Sequence, residues 1–231
     1  MKKRTSAFIF GVQVVVVLRE TLSGGYFYDP ETDQAAFYDT TEIYHSDGNL
    51  FKAGPQLPSP LSEHCMARVN RSHFIFAGSS VFAGGYDSHP VTFLYNLDQD
   101  AWSRLPDMRY GRTIASCGMA LGGPNGPEFV MAGGNTNPAG GSNTSEIFNF
   151  GAMLWTTGPD LPTVRTGGAS VPTGNSFLIV GGNNDGPLGY SNKIIEFDPV
   201  ERSWRELDQT LDHRTMFAGA TLVEDDAIMC T

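Results

Sequence analysis

Charged residues are scarce in this chain, and segments with a helical pattern are missing. Asp, Glu, Lys and Arg make up 17% of the 231 residues, below the roughly 25% of an average soluble domain. No run of about ten residues combines good helix formers with apolar residues at helical spacing. Glycine is abundant instead, with 27 residues beside 15 phenylalanines. This balance argues against a helical bundle and predicts an all-β chain of short strands joined by turns. The length allows one large domain or two small ones.

Basic residues are also few, with 15 Lys and Arg against 25 Asp and Glu and a formal net charge of −10. Binding to a nucleic-acid backbone is therefore disfavoured, because it needs clustered positive charge. The acids Glu224, Asp225 and Asp226 are adjacent. We interpret them as a solvated turn rather than a metal site, since turns recruit Asp for local hydrogen bonds.

Cysteine is rare and irregularly placed. Cys65, Cys117 and Cys230 are odd in number and show no CxxC spacing. We therefore expect neither a disulfide framework nor a zinc site, but three small buried core residues. This cysteine usage favours a reducing, cytoplasmic location over a secreted one.

Two features favour secretion instead. Asn70-Arg-Ser72 and Asn143-Thr-Ser145 match the N-glycosylation pattern, which also arises by chance in turns. The chain begins with a basic head followed by an apolar run over residues 7–18, which resembles a signal peptide without an A-x-A cleavage site. The competing interpretation is a strand, because Val in a row suits a strand buried on both faces. We favour the strand, on the register given below.

A pair of large aromatic residues seven positions apart recurs along the chain. The second members follow one another at intervals of 51, 53 and 49 residues, and a period near 50 indicates one repeated supersecondary unit. The four pairs are Tyr44 and Phe51, Tyr95 and Trp102, Phe148 and Trp155, and Phe197 and Trp204.

Upstream of the aromatic pairs, short apolar strands end in glycine. The glycine doublets are Gly133-Gly134 and Gly181-Gly182, where we expect a positive φ or a close backbone approach. In the fourth unit we predict strands over 168–171, 176–180, 193–197 and 203–207, with a turn at 172–175. Four antiparallel strands in each repeat of about 50 residues are typical of a propeller blade. Packing of the blades is accordingly the expected role of these aromatic residues and glycines.

This pattern resembles the kelch repeat, whose blades carry a diglycine, then Tyr, then Trp at this spacing. The resemblance implies a single kelch-type β-propeller over residues 1–231, with blades at about 4–60, 61–111, 112–164 and 165–213. The first hairpin of a further blade would follow at 214–231, so the chain would hold an incomplete ring. Arg4 then begins the first blade, which is why we read the apolar run after it as a strand.

Each unit opens with an Arg-Thr pair, except the second, which has Ser62-Glu63-His64-Cys65 there. We expect Arg4, Arg112, Arg165 and Arg214 to recur at one height around the ring. Such arginines would either pair with an acidic peptide or tie down backbone carbonyls and a carboxylate such as Glu146 or Glu196.

The units diverge most between the glycines and the next aromatic residue. In kelch relatives the matching loops form one face and bind partner proteins, often a short peptide. Together with the four arginines, the candidate partner-binding residues in these loops are Tyr86, Asp87, His89, Asn135, Asn137, Asn183, Asn184 and Tyr190.

The resemblance therefore implies a non-catalytic scaffold that binds a protein or peptide. The finer roles it suggests are the substrate receptor of a ubiquitin-ligase adaptor and an actin-binding protein. Its alternatives are a kelch-scaffold enzyme, such as an oxidase or sugar epimerase, and an extracellular glycoprotein. The five histidines fall at different places in their units, which speaks against a copper site at the axis. We expect no catalytic residue, cofactor or metal, and no membrane or nucleic-acid partner.

Overall fold

The computed structural model of the protein describes residues 19–23, 26–29, 34–45, 49–82, 86–136, 140–184, 189–224 and 227–230. All regular secondary structure in these residues is β-strand, and no helix occurs among them. The expected all-β class is thus confirmed. The apolar run at residues 7–18 and Arg4 lie outside the described residues, as do Asp225 and Asp226.

The first sheet has three described strands in the order β1-β4-β5. The strands β2 and β3 form a two-stranded hairpin of their own, outside this sheet. Their bounds are β1 Arg19–Ser23, β2 Tyr26–Asp29, β3 Gln34–Phe37, β4 Thr41–His45 and β5 Leu50–Ala53.

The second and third sheets each have four antiparallel strands whose order follows the chain. The second consists of β6 Cys65–Arg68, β7 His73–Phe82, β8 Tyr86–Asn96 and β9 Ala101–Arg104. The third consists of β10 Ser116–Ala120, β11 Glu128–Ala132, β14 Ser145–Asn149 and β15 Leu154–Thr157, with a small hairpin of β12 Asn135–Thr136 and β13 Gly140–Gly141.

The fourth sheet again has four strands, and a two-stranded sheet follows it. The strands are β16 Ala169–Pro172, β17 Phe177–Val180, β18 Ser191–Asp198, β19 Ser203–Thr215, β20 Ala220–Glu224 and β21 Ala227–Cys230. The four predicted strands of this unit are confirmed, with one difference. β19 continues beyond Leu207 to Thr215, because Leu207 and Leu211 both pack on the apolar cluster of this sheet.

The first strands of neighbouring sheets contact one another: β6 with β10, β10 with β16, and β16 with β20. These strands therefore lie nearest a common axis, and the fourth strands lie at the rim. Apolar clusters fill the spaces between sheets. One of them joins Cys65 and Ile75 of the second sheet to Met131 and Phe148 of the third.

The recurrent aromatic pairs face each other directly across the third and fourth strands. Tyr95 pairs with Trp102 with ring centroids 4.8 Å apart, and Phe148 pairs with Trp155 at 5.3 Å. The same pairing joins Phe197 to Trp204 at 4.9 Å and Tyr44 to Phe51 at 5.1 Å. The rings of each pair therefore pack against each other, although Phe51 in the first sheet is 50% exposed.

Each tryptophan also reaches the preceding sheet through its indole nitrogen. The Nε1–H groups of Trp102, Trp155 and Trp204 donate to backbone carbonyls at 3.2, 2.9 and 3.1 Å. The acceptors are Pro55, Pro106 and Pro159, in the segments that leave the preceding rim strands. A ring that both packs and donates explains why the repeat selects Trp at this position.

The first glycine of each doublet lies where the next unit's backbone approaches. Gly133 and Gly181 have φ values of +65° and +68°. A Cβ at Gly133 would lie 2.1 Å from the carbonyl oxygen of Arg165, and one at Gly181 would lie 2.8 Å from that of Thr215. Both expected reasons for glycine, positive φ and close approach, therefore apply.

The cysteine prediction was wrong for two of the three residues. Cys65 in β6 and Cys117 in β10 form a disulfide with their Cα atoms 6.1 Å apart. They are buried, as expected, at 1% and 3% exposure. The pair was not evident from the sequence because 52 positions separate the two residues. They meet because the repeat places their strands side by side. The cysteine argument for a reducing compartment is weakened accordingly, and the location stays a prediction.

Candidate functional site

The connections between strands fall on two opposite ends of the sheets. Within a four-stranded antiparallel sheet, the second-to-third connection emerges at the same end as the chain that enters from the previous sheet. We call this end the loop face. Its sheet-to-sheet segments are 54–64, 105–115, 158–168 and 216–219, and its second-to-third connections lie near 79–91, 133–144 and 181–190.

The predicted loop residues do lie on the loop face, where the structure describes them. Tyr190 is 52% exposed. Half-buried positions are taken by Asp87, His89, Asn135, Asn183 and Asn184. Tyr86 pairs with Phe82 at the tip of the β7–β8 ladder, while Asn137 lies outside the described residues. Partner binding by these side chains stays a prediction.

The sequence left two roles open for the recurring arginines, contact with an acidic peptide and structural bonds to carbonyls or a carboxylate. Arg112 and Arg165 are 0% and 1% exposed. With so little accessible surface, both serve the fold in this structure, which corresponds to the structural alternative.

Arg112 takes part in a buried network of hydrogen bonds and one ion pair. Its guanidinium donates to the carbonyls of Gly133 at 2.8 Å and Thr144 at 3.0 Å, and to the Thr144 hydroxyl at 2.8 Å. It also forms an ion pair with Glu146 at 3.3 Å. Burial lowers the pKa of Arg112, and the charge of Glu146 opposes that shift. The network thus holds a buried guanidinium against the carboxylate named from the sequence.

Arg165 occupies the equivalent place in the next sheet with fewer partners. It donates to the carbonyl of Gly181 at 3.0 Å and to the Thr163 hydroxyl at 3.2 Å. Its buried Nε has no hydrogen-bond partner among the described residues. The position of Glu146 is taken here by Ile195, two residues before the aromatic partner of the tryptophan. Burial lowers the pKa of Arg165, and the charge of Glu206 opposes this.

Arg214 does not belong to the same register, so the predicted fourfold recurrence was wrong at this point. The carbonyls of Arg112, Arg165 and Thr215 accept equivalent hydrogen bonds from the preceding sheet, at 3.0, 2.8 and 2.7 Å. Thr215 therefore stands where an arginine was expected. The additional residues that bulge from β19 against β18 shift the register by one. Arg214 is exposed and donates to the carbonyl of Tyr190 at 2.9 Å.

Three backbone hydrogen bonds link the sheet-to-sheet segments on the loop face in series; we call this chain of bonds the collar, and sequence reasoning missed it. Phe217 N–H donates to Gly167 O at 2.9 Å, Gly167 N–H to Ile114 O at 2.9 Å, and Ile114 N–H to Glu63 O at 3.2 Å. The φ values of Glu63, Ile114, Gly167 and Phe217 lie between +54° and +63°. Only Gly167 signals such a conformation, and Ile and Phe rarely adopt it. Burial raises the pKa of Glu63.

Among the described residues, several aromatic side chains are well exposed on the loop face, three of them in the segments and connections named above. Tyr110 is 46% exposed, Tyr190 52% and Phe217 56%. Arg109, also exposed, places its guanidinium 5.3 Å from the Tyr110 ring. The Glu146 carboxylate accepts from the backbone N–H of Arg109 at 2.7 Å and of Tyr110 at 3.3 Å. The buried ion pair of Arg112 and Glu146 therefore also orients the exposed residues Arg109 and Tyr110.

A cavity of about 570 Å³ adjoins Arg109 at the rim of the third sheet. Its lining includes Arg109, Glu146 and Trp155. Within the described ranges no cluster of three or more His, Cys, Asp and Glu could hold a metal ion. The same part of the chain contains no helix long and apolar enough to cross a membrane.

Comparison with known proteins links the repeat to one family. The family model described as Kelch motif matches residues 164–210. Alpha-scruin of Limulus polyphemus is 23% identical over 189 residues, which are 78% of this chain and 20% of that protein. Kelch repeat and BTB domain-containing protein 12 of Danio rerio is 23% identical over 210 residues, or 83% of this chain and 32% of that protein. The chain spans between a fifth and a third of the length of these two relatives.

Among solved structures, that of YjhT superimposes with a TM-score of 0.70 at 12% identity. The match covers 97% of this chain and 83% of that one. At this identity the likeness concerns the fold alone. Together with the repeated antiparallel sheets, it confirms the predicted β-propeller.

Proposed function

Because the chain is a kelch-repeat β-propeller protein, we propose that it is a non-catalytic scaffold that binds a partner protein or peptide on the loop face. One observation carries the proposal: Tyr110, Tyr190 and Phe217 are all about half exposed on this face. Tyrosine and phenylalanine supply large contact area at low entropic cost, and exposed groups of this kind are typical of binding surfaces.

The charge on this face bears on the partner's chemistry. Arg109 and Arg214 are exposed beside the aromatic residues, although the chain as a whole carries a formal net charge of −10. We propose that the partner presents acidic groups to these two arginines. Such contacts would be weakened by salt, since exposed charge pairs are screened over about 8–10 Å at physiological ionic strength.

The finer role is that of substrate recognition within a larger assembly. It is supported by the relative whose name includes a BTB domain and by the resemblance, which also suggests actin binding. We keep the cytoplasmic location as part of this proposal. An absence of enzymatic activity likewise belongs to the proposal, with no catalytic residue assigned.

The test compares two faces of the same protein. One variant carries Tyr110→Ala, Tyr190→Ala and Phe217→Ala on the loop face. The matched control carries Leu121→Ala and Val200→Ala, which remove side chains that are 46% and 63% exposed in turns of the opposite end. Neither set removes a core residue, so both variants should unfold at about the wild-type temperature.

Affinity capture from cell extract with quantitative mass spectrometry provides the readout. We expect the specific partner to be recovered with at least about tenfold lower yield by the loop-face variant and at the wild-type yield by the control. Equal recovery with both variants would contradict a binding site on this face. Glycosidase treatment of the native protein tests the location, because a mass shift at Asn70 or Asn143 would require entry into the secretory pathway.

A further inference from the structure

The junction between the second and third sheets differs chemically from the next junction along the chain. Strand registers place Ser116 and Ser170 at the next junction where Cys65 and Cys117 stand at this one. There, Ser116 Oγ donates to Gly168 O at 3.0 Å, and Cys117 N–H donates to Ser170 Oγ at 2.9 Å. Hydrogen bonds hold the serine junction, so a covalent link is not needed by the repeat itself.

The disulfide lies close to the collar on the loop face. Cys65 follows Glu63 by two residues, and Cys117 follows Ile114 by three. The backbone hydrogen bond from Ile114 to Glu63 is the collar's link across this junction. A covalent bond between β6 and β10 therefore restricts the separation of the two residues that make this link.

We propose that Cys65 and Cys117 form a redox-dependent lock on the junction between the second and third sheets. Oxidation by a low-molecular-weight disulfide converts the two thiols into one disulfide, while the oxidant takes up two electrons and two protons and leaves as two thiols. Both cysteines are at most 3% exposed, so the exchange proceeds through transient opening of the junction. When the pair is reduced, the Glu63–Ile114 link opens more often, and the loop face loses its restraint at this one point.

Amide exchange provides a test that needs no partner, so its failure is distinct from a failure of the proposed binding function. The protein is oxidised with glutathione disulfide under native conditions, and a non-reduced peptide map should show residues 65 and 117 linked. On reduction, we expect exchange of the Ile114 amide to accelerate at least about tenfold. The Gly167 amide, which bonds across the next junction, should change less than about twofold.

Matched variants locate the effect. Cys230→Ser should behave like the wild type, and Cys65→Ser with Cys117→Ser should exchange like the reduced protein under all conditions. In that double-serine background, Ser116→Cys with Ser170→Cys should transfer the redox response from Ile114 to Gly167. If the serine variants do not fold, the wild-type protein in its two redox states gives the answer alone.

Two results would overturn the proposal. One is the absence of a link between residues 65 and 117 after native oxidation. The other is an equal response of the Ile114 and Gly167 amides to reduction, including no response at either, because a lock on one junction must act there selectively.

Discussion

The buried pair of Arg112 and Glu146 allows a quantitative test of how the junctions are held. Replacing Arg112 by Leu removes an ion pair with Glu146 and the hydrogen bonds to Gly133 and Thr144. The Glu146 carboxylate, 4% exposed, then remains buried without its cation. Breaking a buried pair in this way costs about 3–5 kcal/mol. For a protein of this size the loss corresponds to about 6–20 °C in Tm.

The second sheet suggests the compensating change. There, Leu61 and Phe93 occupy the positions of Arg112 and Glu146. The double variant Arg112→Leu/Glu146→Phe leaves no buried charge, so it should be more stable than Arg112→Leu alone by about 2 kcal/mol or more. Arg165→Leu is the matched control. It faces Ile195 and leaves no buried carboxylate, so it should cost less than half as much as Arg112→Leu.

Urea unfolding, followed by tryptophan fluorescence, measures all four proteins. The reasoning would be refuted if Arg112→Leu cost less than about 1 kcal/mol, or if Arg165→Leu cost as much. It would also fail if the double variant were no more stable than the single one, since the charge left behind would then not be the source of the loss.

Three further predictions concern other recurrent features. Gly133→Ala should lower the free energy of unfolding by about 3 kcal/mol or more, because its Cβ would lie 2.1 Å from the carbonyl oxygen of Arg165. Gly140 also has a positive φ but has nothing within 4 Å of its Cβ position, so Gly140→Ala should lower it by only about 1–2 kcal/mol. Urea unfolding of both variants checks this, and equal losses would contradict it. Trp155→Phe should lower the unfolding free energy by about 1 kcal/mol by removing the indole hydrogen bond, and no change in Tm would argue against that contribution. Burial lowers the pKa of His64 to about 4, so the unfolded chain binds the proton more tightly than the folded one. The free energy of unfolding should therefore fall by up to about 3 kcal/mol as the pH drops from 6.5 towards 4. Urea unfolding at each pH measures this dependence, and His64→Leu should remove the part of it that His64 causes.

The sequence predicted the sheets well because their determinants are local and periodic. An aromatic pair seven residues apart spans a tight turn, and the four-residue connection at 150–153 makes Phe148 and Trp155 direct cross-strand neighbours. The glycines were predictable for a similar reason, since close backbone approach tolerates no Cβ. The spacing thereby predicted the four-stranded units and the packing of their aromatic pairs, whereas a common loop face was implied by the kelch resemblance.

The prediction failed where spacing and geometry diverge. Arg214-Thr215 has the same residue types as Arg112-Thr113. The bulges of β19 shift the register, however, so Thr215 occupies the position that corresponds to Arg112. The disulfide was missed because neighbouring blades bring together residues that are far apart in sequence. The collar was missed because Ile114 and Phe217 adopt a conformation that their residue types disfavour. In the first case an irregularity within one sheet overrides the local pattern, and in the other two cases contacts between sheets do so.

These differences show that the variable chemistry of the repeat is not confined to its loops. The tryptophan and glycine contacts are shared between junctions, yet the buried side chains differ: an apolar pair at the second sheet, an ion pair at the third and a lone guanidinium at the fourth. The ion pair has a consequence at the surface, because Glu146 also accepts from the backbone of Arg109 and Tyr110. Prolines occupy the position of Arg109 in the segments before the second and fourth sheets, at Pro58 and Pro162, and a proline has no N–H to donate. Of the second, third and fourth sheets, the third is therefore the one where a buried carboxylate can accept from the backbone N–H at the position of Arg109, and there it orients an exposed aromatic residue and its neighbouring cation.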